Sequence, residues 1–415
     1  MAYWQRRDAV QAYLREQGWR GWLLMDFRGS NPLLWQVLGR GAEGGHLTRR
    51  TFLWIPAAGA PLAQNGAGAT TAEGLVVLAH AIESGALVDG RWELRTYHDG
   101  DSLRAALASF GIAGGTVAME YSPLGELPYV SRVDGGTLDV VRSLGATVVS
   151  SADLLQLAIA QWDEQQIAQH DRAAQLVDQV KNEAFALVGE RLRAGQAVHE
   201  HAVSQFIEQR FAALGLATVY SPTVAAGPNS ANPHYEPLAD SSRPISPDEW
   251  LLIDLWARLD RPGSPFADVT WVAWTGPSPV PEAPRRVFEI VRAARDLALS
   301  RLESAATHGI APQGWEIDRA VRDHITATGY GANFTHRTGH NLGPEELHGS
   351  AGVCLDDYET HDTRRVLPGV AFSVEPGIYL PGDFGVRLEL NAVMTATGPR
   401  VYTPVQREII QITSP

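Results

Sequence analysis

The spacing of hydrophobic positions predicts two regions that meet near residue 160. In the first region, short apolar runs at 21–25, 51–55, 116–120 and 146–150 have the length and the composition of strands. Residues 102–107 instead follow a helical period. Strands that alternate with helices are typical of an α/β domain. This region contains no GxGxxG or phosphate-loop pattern, so nucleotide binding has no support.

The second region repeats one order of elements. Apolar residues recur on a helical period over 164–192, and a second helix is predicted over about 198–214, where Gly215 is a stop signal. A similar helix pair is predicted over 285–307 and 315–328. Two copies separated by about 120 residues predict a duplicated half-domain with an approximate two-fold axis.

A histidine-bearing extended segment follows each helix pair, at 221–235 in one half and at 333–342 in the other. A site on the two-fold axis would therefore take side chains from both halves. Five candidates for such a site lie in apolar, β-branched or glycine-rich stretches, which are typical of buried strands and tight turns. They are Asp254, Asp268, His340, Glu375 and Glu389.

The four acids among these candidates fall in two predicted hairpins. Asp254 follows one apolar run and Asp268 begins the next, with a predicted hairpin loop at 258–265 between them. Glu375 and Glu389 flank a second turn in the same way. Taken alone, the two aspartates could simply cap a turn at the ends of their strands.

Together, these side chains indicate a metal site. A buried carboxylate is costly unless a cation or hydrogen-bond donors neutralise it. Four carboxylates and one imidazole suit Mn²⁺, Co²⁺ or Zn²⁺, with Mn²⁺ the first candidate. Four negative charges match two divalent ions with a bridging hydroxide, an arrangement that serves hydrolysis. A single metal ion is an alternative, and a structural site would more commonly use Cys and His.

Composition narrows the functional classes. The chain has 415 residues, enough for two domains, and a formal net charge of −13. An acidic chain is a poor candidate for sequence-independent binding to nucleic acid or to anionic lipid, so we expect neither partner. Cys354 is the one cysteine, which excludes an intrachain disulfide and fits a reducing compartment. We interpret it as a packed small residue and not as a nucleophile.

The start of the chain and its hydropathy predict a cytoplasmic protein. Residues 1–8 contain none of the apolar core of a signal peptide. No stretch approaches the uninterrupted apolar length of a membrane span, so no transmembrane helix is expected.

Five short segments resemble the M24 metallopeptidases, which include aminopeptidase P, prolidase and methionine aminopeptidase, with creatinase as a non-peptidase relative. The segments are Ile253-Asp254-Leu255, Ala267-Asp268-Val269-Thr270, Thr338-Gly339-His340-Asn341-Leu342-Gly343, Val374-Glu375-Pro376-Gly377-Ile378-Tyr379 and Gly385-Val386-Arg387-Leu388-Glu389. All five ligand positions occur in order, and the resemblance covers about residues 160–410. It implies an N-terminal creatinase/prolidase-like α/β domain at 1–158 and a C-terminal duplicated α+β domain of the pita-bread fold at 159–415.

The resemblance also implies how the five candidates would share the metal ions. Asp254 would hold one ion, and His340 and Glu375 would hold the other. Asp268 and Glu389 would bridge the two ions. The implied cofactor is therefore a pair of divalent metal ions.

Four further side chains resemble substrate-contacting residues of the family. His234 resembles the histidine that contacts the scissile group and shuttles a proton, and His348 resembles the second substrate histidine. Arg387 resembles the arginine just before the bridging glutamate, and His336 a histidine of the proline-specific members. The predicted catalytic residues are His234, His348, Glu375 and Arg387, with substrate binding assigned to His336, His234, His348 and Arg387. Each histidine could alternatively be an ordinary packed or solvated side chain.

The chain departs from the family pattern in the loops around the site. The two aspartates stand 14 residues apart, farther than is usual in the family. The stretch from His340 to His348 is longer by one residue, through Pro344-Glu345-Glu346, and Trp271 stands where the family has arginine. These departures leave every ligand in place, so they bear on the choice of substrate and not on hydrolysis.

The function implied by the resemblance is hydrolysis of the bond before proline in a small peptide, as an Xaa-Pro aminopeptidase or an Xaa-Pro dipeptidase. A creatinase-like or lyase-like enzyme acting on a small non-peptide substrate is the alternative, but creatinase-type chemistry has lost the metals. A catalytically silent binding protein is a third alternative, although such proteins usually lose several ligands. In relatives the N-terminal domain, sometimes that of a partner subunit, closes the pocket, so a homodimer is also implied.

Overall fold

The computed structural model describes residues 6–40, 47–57, 74–343 and 346–412. The chain divides into two compact units, Met1–Gln161 and Trp162–Pro415. The first five residues, on which the signal-peptide expectation partly rests, lie outside the described residues, as do Pro344 and Glu345. Within the described ranges, no helix is both long and apolar enough to cross a membrane.

The N-terminal unit is built on a six-stranded mixed sheet. Its strands are β1 (Gly21–Asp26), β2 (Thr51–Pro56), β3 (Val76–His80), β4 (Glu93–Tyr97), β5 (Thr116–Met119) and β6 (Thr147–Ser150). They lie in the order β4-β3-β2-β1-β5-β6, with β2 antiparallel to both of its neighbours and the other pairs parallel. Its helices are α1 (Arg7–Glu16), α2 (Pro32–Val37), α3 (Gly100–Ala108), α4 (Gly135–Ser143) and α5 (Ala152–Leu155). The predicted strands and the predicted helix of this region are confirmed.

The apolar runs of this unit are continuous because their strands are buried on both faces. Every residue of β1 and of β2 is buried. On one face of the sheet, Trp54 stacks on Phe110 with ring centroids 5.4 Å apart. The unit therefore has a hydrophobic core of its own, as an α/β domain requires.

The C-terminal unit contains the two predicted helix pairs. They are α6 (Glu164–Arg193) with α7 (Glu200–Ala213), and α8 (Glu282–Thr307) with α9 (Gly314–Ala327). Gly215 and Gly329 follow the ends of α7 and α9 with φ of 72° and 91°, the left-handed conformation that stops a helix. The strands are β7 (Leu216–Ala217), β8 (Thr223–Ala226), β9 (Trp250–Leu259), β10 (Ala267–Trp274), β11 (Ala371–Val374), β12 (Gly377–Leu380), β13 (Phe384–Arg387), β14 (Leu390–Thr395), β15 (Gly398–Val401) and β16 (Ile410–Gln411).

Strands β9 and β10 separate two hydrophobic cores. They pair antiparallel over the whole length of β10. Ile253 and Val269 belong to the core that contains α6 and α7, whereas Leu252 and Val272 belong to the core that contains α8 and α9. Because side chains alternate along a strand, the even-numbered residues of both strands face the second half of the unit.

The second half contributes a long, interrupted hairpin. Strand β11 pairs with β14, and β12 pairs with β13, both antiparallel and in one continuous register. Glu375 and Glu389 fall in the gap between the two ladders, opposite each other. This confirms a second hairpin that carries one acid on each arm.

Candidate metal centre

The first hairpin presents two aspartates on one face. Asp254 lies opposite Thr270, and Asp268 is two residues before Thr270 on the same strand. All three side chains therefore point to the second half of the unit. The alternative in which the two aspartates cap a turn at the ends of their strands does not hold for Asp254. It lies in the middle of β9, because alternate apolar residues continue on the other face as far as Leu259.

Asp268, His340 and Glu389 meet in one buried group. One possible ligand atom from each lies within 4.8 Å of the others. The Nε2 atom of His340 lies 3.5 Å from Asp268 Oδ2 and 3.3 Å from Glu375 Oε1. The structure thus brings together side chains from both halves of the unit.

Asp254 lies beside this group and is paired with Arg387. The Nη2 atom of Arg387 donates to Asp254 Oδ2. Its Nε atom donates to the Thr270 hydroxyl at 2.9 Å, and its Nη1 atom donates to the Tyr379 hydroxyl at 3.0 Å. The same guanidinium is 3.9 Å from Glu375 Oε2. Arg387 therefore occupies one oxygen of Asp254 and leaves the other free.

The donor atoms of this group fit a metal ion. Among the described residues, three buried carboxylate oxygens have no hydrogen-bond partner, namely Asp254 Oδ1, Asp268 Oδ1 and Glu389 Oε1. An unpaired buried anionic oxygen is costly, and native structures contain few of them. His340 donates from Nδ1 to the Asn341 carbonyl at 3.1 Å, which leaves Nε2 with a lone pair aimed at the carboxylates. Carboxylate oxygens and a neutral imidazole nitrogen are together the donor set of a divalent cation.

The electrostatics of the group show an excess of negative charge. Burial raises the pKa of Glu389 well above its usual range, and the neighbouring carboxylates raise it further. Burial also raises the pKa of Asp268. Burial raises the pKa of Asp254 to about 7, although Arg387 acts to lower it. A bound cation would relieve all three of these shifts.

Glu375 differs from the other acids of the group. Its side chain is 15% exposed, the largest value among them. Burial acts to raise its pKa, but attraction by the protonated forms of His340 and His336 and by Arg387 outweighs burial, so the pKa of Glu375 is lowered. The Ser373 hydroxyl donates to Glu375 Oε1 at 2.9 Å and accepts the backbone N–H of His340 at 2.9 Å. The Ser373 hydroxyl is thereby hydrogen-bonded to two of the predicted ligands.

His348 lies beside the group, and both His348 and His234 are exposed. The rings of His340 and His348 lie 4.3 Å apart at an interplanar angle of 74°. Repulsion by His340 is the main cause that lowers the pKa of His348, and His234 acts in the same direction. His234 is exposed, and Arg387 Nη1 donates to the carbonyl of the preceding Pro233 at 3.4 Å.

His336 connects to Arg387 through Tyr379. Because Arg387 can only donate, the Tyr379 oxygen accepts from it and directs its own proton to His336 Nε2 at 2.7 Å. The Nδ1 atom of His336 then carries the proton that it donates to the Arg337 carbonyl at 2.7 Å. Burial lowers the pKa of His336 to about 4. This hydrogen-bond order therefore assigns a neutral His336.

Ser373, Thr270 and Tyr379 contact predicted site residues, yet sequence reasoning gave them no role. Ser373 is two residues before Glu375, and Thr270 is two residues after Asp268. In an extended chain, residues two apart share a face. A polar residue at that spacing from a predicted ligand is the signal that could have found both.

The duplicated fold and the acid–histidine group define a class of protein that binds metal ions between two half-domains. The family model of Metallopeptidase family M24 matches residues 168–396, which is more than half of the chain. The chain therefore belongs to metallopeptidase family M24.

Individual relatives support the family and the fold. An Xaa-Pro dipeptidase from Lactobacillus helveticus is 34% identical over 186 residues, 45% of this chain and 45% of that protein. This chain spans about half the length of the first curated relatives that it matches. A dipeptidase structure from Pyrococcus horikoshii OT3 is 25% identical, with a TM-score of 0.61 over 98% of this chain and 99% of that one. A dipeptidase from Mycobacterium ulcerans is 21% identical, with a TM-score of 0.67 over 99% and 98% of the two chains. The predicted fold class is confirmed over nearly the whole chain.

Proposed function

We propose that this chain is a dinuclear metal-dependent peptidase that cleaves the bond before proline, and that it acts as an Xaa-Pro dipeptidase. The three unpaired buried oxygens on Asp254, Asp268 and Glu389 carry this proposal, because Asp268 and Glu389 form one compact group with the imidazole of His340. Membership of the M24 family supports hydrolysis of peptides. The names of the Lactobacillus relatives favour the dipeptidase form over the aminopeptidase form.

Two divalent ions would be held by the five predicted ligands, with Mn²⁺ the first candidate. The ligands are Asp254, Asp268, His340, Glu375 and Glu389. Four carboxylates balance the charge of two divalent ions, and Arg387 leaves Asp254 Oδ1 available as a donor. When bound, such ions polarise a peptide carbonyl and make water more acidic.

The side chains around the ligands orient the substrate. His348 and His234 lie on the accessible side, where a neutral imidazole donates a hydrogen bond to the oxygen that becomes negative during attack. Tyr379 and Arg387 fix the ring of His336 from one side. A fixed, neutral ring beside the ligands is a suitable wall for an apolar pyrrolidine group.

Glu375 is the proposed site of proton transfer. It is the most exposed carboxylate of the group, so a substrate atom can approach it, whereas Glu389 is 2% exposed. A carboxylate in this place accepts the proton lost by the attacking water and passes it to the proline nitrogen as the peptide bond breaks. The amine and the carboxylic acid then leave as the two products.

Purified protein reloaded with Mn²⁺ tests the proposal directly. We expect proline release from an Xaa-Pro dipeptide, and we expect Asp268→Ala to abolish it. The control is Asp323→Ala, on the exposed side of α9, which should hydrolyse at the rate of the unaltered protein. Unchanged hydrolysis by Asp268→Ala would exclude the assignment of this site.

The length and composition of the substrate test whether the protein is a dipeptidase and whether it requires proline. A dipeptidase should cleave Xaa-Pro and leave Xaa-Pro-Yaa and longer peptides intact, whereas an aminopeptidase should cleave the longer peptides. Dipeptides without proline test the specificity, and a small non-peptide amide tests the creatinase-like alternative. Metal analysis of the active protein should give about two ions per chain.

Homodimerisation and a cytoplasmic location are predictions of the resemblance and of the composition. Light scattering of the purified protein measures the first, and cell fractionation measures the second.

A further inference from the structure

The second helix of each half carries one buried carboxylate that the proposed chemistry does not use. Glu200 begins α7, and Asp318 lies in α9. Both residues are 0% exposed. Each accepts hydrogen bonds from the extended, histidine-bearing segment that follows in its own half. The two acids therefore have similar contacts in the two halves, although Glu200 is the first residue of its helix and Asp318 lies one turn into its own.

Glu200 holds the segment that contains His234. Three groups of this segment and one backbone N–H that follows it donate to its carboxylate. The donors are the N–H of Ala226 (2.7 Å), the hydroxyl of Tyr235 (2.6 Å), the side-chain amide of Asn229 (3.0 and 3.1 Å) and the N–H of Arg243 (3.0 Å). One anionic side chain thus satisfies several donors that would otherwise be unpaired.

These contacts restrain His234 through its neighbour. Tyr235 is fixed twice, since its hydroxyl donates to Glu200 and its carbonyl accepts the Thr223 hydroxyl at 3.0 Å. Thr223 is itself opposite Asp254 in the ladder between β8 and β9. The position of the exposed His234 is therefore set from helix α7 and from the strand next to a proposed ligand.

Asp318 contacts the histidine-bearing segment of the second half. Its Oδ1 atom accepts the backbone N–H of Thr338 at 2.9 Å and the Thr338 hydroxyl at 2.6 Å. Thr338 precedes His340 by two residues, and its carbonyl accepts the N–H of Glu375 at 2.7 Å. Asp318 therefore restrains the backbone next to two proposed ligands.

Arg322 extends this contact along the same segment. It lies one turn after Asp318 on α9 and pairs with both carboxylate oxygens at 3.1 and 3.2 Å. It also donates to the carbonyls of Phe334 and His336, both at 2.9 Å. The stretch from 334 to 338 is thus attached to α9 at three successive points.

We propose that Glu200 and Asp318 are positioning residues with separate tasks in the two halves. Glu200 fixes His234 for contact with the substrate, and Asp318 fixes His340 and Glu375 for metal binding. The inference rests on the proposed function, because it uses the roles proposed there for these side chains. A purely structural role would lower the stability of the fold without separating substrate turnover from metal affinity.

Glu200→Gln tests the first half. The amide keeps the size of the side chain but turns an NH₂ group towards donors that need an acceptor. We expect kcat for an Xaa-Pro dipeptide to fall about 10- to 100-fold, the usual cost of losing a group that orients an active residue. The Kd for Mn²⁺, titrated into metal-free protein, should be unchanged. Glu208→Gln, on the same helix and without these contacts, is the matched control.

Asp318→Asn tests the second half. We expect the Kd for Mn²⁺ to rise about 10- to 100-fold. At saturating Mn²⁺, kcat should return close to that of the unaltered protein. The visible absorption of a Co²⁺-loaded sample should change in Asp318→Asn and not in Glu200→Gln. Asp323→Asn, exposed on the same helix, is the matched control.

Milder variants keep the test decisive if either substitution prevents folding. Tyr235→Phe and Thr338→Val each remove one hydroxyl from these contacts. They should show the same separation with smaller changes. Loss of thermal stability with kcat, KM and the Kd for Mn²⁺ all unchanged would overturn the proposal, as would parallel losses of turnover and metal affinity in both halves.

Different results would contradict the positioning role of Glu200 and Asp318 and the proposed Xaa-Pro hydrolysis. If the unaltered protein releases no proline from Xaa-Pro dipeptides, the function is wrong, but the Kd for Mn²⁺ still decides the role of Asp318. Backbone hydrogen exchange then decides the role of Glu200 without any substrate. Glu200→Gln should speed exchange over 226–243, and Asp318→Asn should speed exchange over 334–340. Unchanged exchange in these segments would contradict the proposal.

Discussion

Fully buried carboxylates occur in both units of the chain, but they are satisfied in different ways. Glu120 follows β5 in the N-terminal unit and is 0% exposed. The indole N–H of Trp22 and the Ser151 hydroxyl donate to its Oε1 at 2.6 and 3.0 Å. The Asn31 amide donates to its Oε2 at 3.0 Å. Both oxygens of Glu120 thus have partners within the same unit.

Asp268 and Glu389 in the C-terminal unit are buried to a similar degree, at 4% and 2% exposure. Each leaves one oxygen that has no partner among the described residues. The neighbours of Glu389 include three further carboxylates, which raise its pKa further above that of an ordinary glutamate. The comparison shows that burial of an acid does not by itself indicate a metal site. Unsatisfied oxygens on acids that are grouped with an imidazole do.

Glu389→Gln should have the largest effect on activity. The amide oxygen can still accept the Thr270 hydroxyl, now at 2.8 Å, but a neutral side chain cannot help to balance two divalent ions. We expect kcat to fall by more than about 100-fold, beyond the range for residues that only support a ligand. Proline release and metal analysis measure the loss.

The same variant should not weaken the metal-free fold. Without metal, Glu389 is destabilised by burial and by the neighbouring carboxylates, and one of its oxygens has no partner. Its replacement by a neutral side chain of the same shape removes no stabilising contact. The free energy of unfolding of metal-free Glu389→Gln should therefore equal or exceed that of the metal-free parent. A marked decrease would show that Glu389 is a satisfied structural acid like Glu120. Glu303→Gln, exposed on α8, is the control for the substitution itself.

Glu120→Ala should have the opposite effects: it should lower the free energy of unfolding and leave metal binding unchanged. It leaves the donors of Trp22, Asn31 and Ser151 without their acceptor inside the protein. We expect the free energy of unfolding to fall by about 3–5 kcal/mol, since each unpaired buried donor costs about 1–3 kcal/mol. Denaturant unfolding measures this change, and the folded fraction should retain its full metal content. Glu126→Ala, at an exposed position of the same unit, should change neither quantity.

Much of the fold could be predicted from the sequence, because it depends on local patterns. Helical periodicity and the glycines at 215 and 329 predict α7 and α9 to within a few residues of their bounds. The proposed ligands were recognisable because an acid inside an apolar strand is unusual. The end of β9 was less clear than its start, since the residues after Asp254 alternate and do not form a continuous apolar run.

The residues that support the site could not be predicted in the same way. Glu200 and Asp318 occupy polar positions on amphipathic helices, where an acid is ordinary. Their partners, Tyr235 and Thr338, are 35 and 20 residues away along the chain. Such contacts depend on how the helices pack on the segments that follow them. The pattern of hydrophobic positions in a single sequence predicts the helices but not this packing.

Mn²⁺ should stabilise the protein through the C-terminal group alone. A ligand at one hundred times its Kd raises the free energy of unfolding by about 2.7 kcal/mol for one binding event. We expect an increase of this size when Mn²⁺ is added to chelator-treated protein, followed by thermal or denaturant unfolding. Asp268→Asn should abolish the increase, and Glu120→Gln should retain it. An increase that survives Asp268→Asn would place the metal elsewhere.

The smallest expected effect is a dependence of the free energy of unfolding on pH that is due to Glu120. Burial raises the pKa of Glu120 from 4.5 to about 7 in the folded protein. The folded state then binds a proton more tightly than the unfolded state, so this contribution is complete below pH 4.5 and is lost as the pH rises through 7. Between about pH 5.5 and 7.5 the loss amounts to about 2 kcal/mol. Glu120→Gln does not titrate, so its free energy of unfolding should fall less than that of the parent over this range. Both proteins are measured with saturating Mn²⁺, so that the acids of the metal group contribute equally to the two measurements. Parallel curves of the free energy of unfolding against pH would contradict the raised pKa of Glu120.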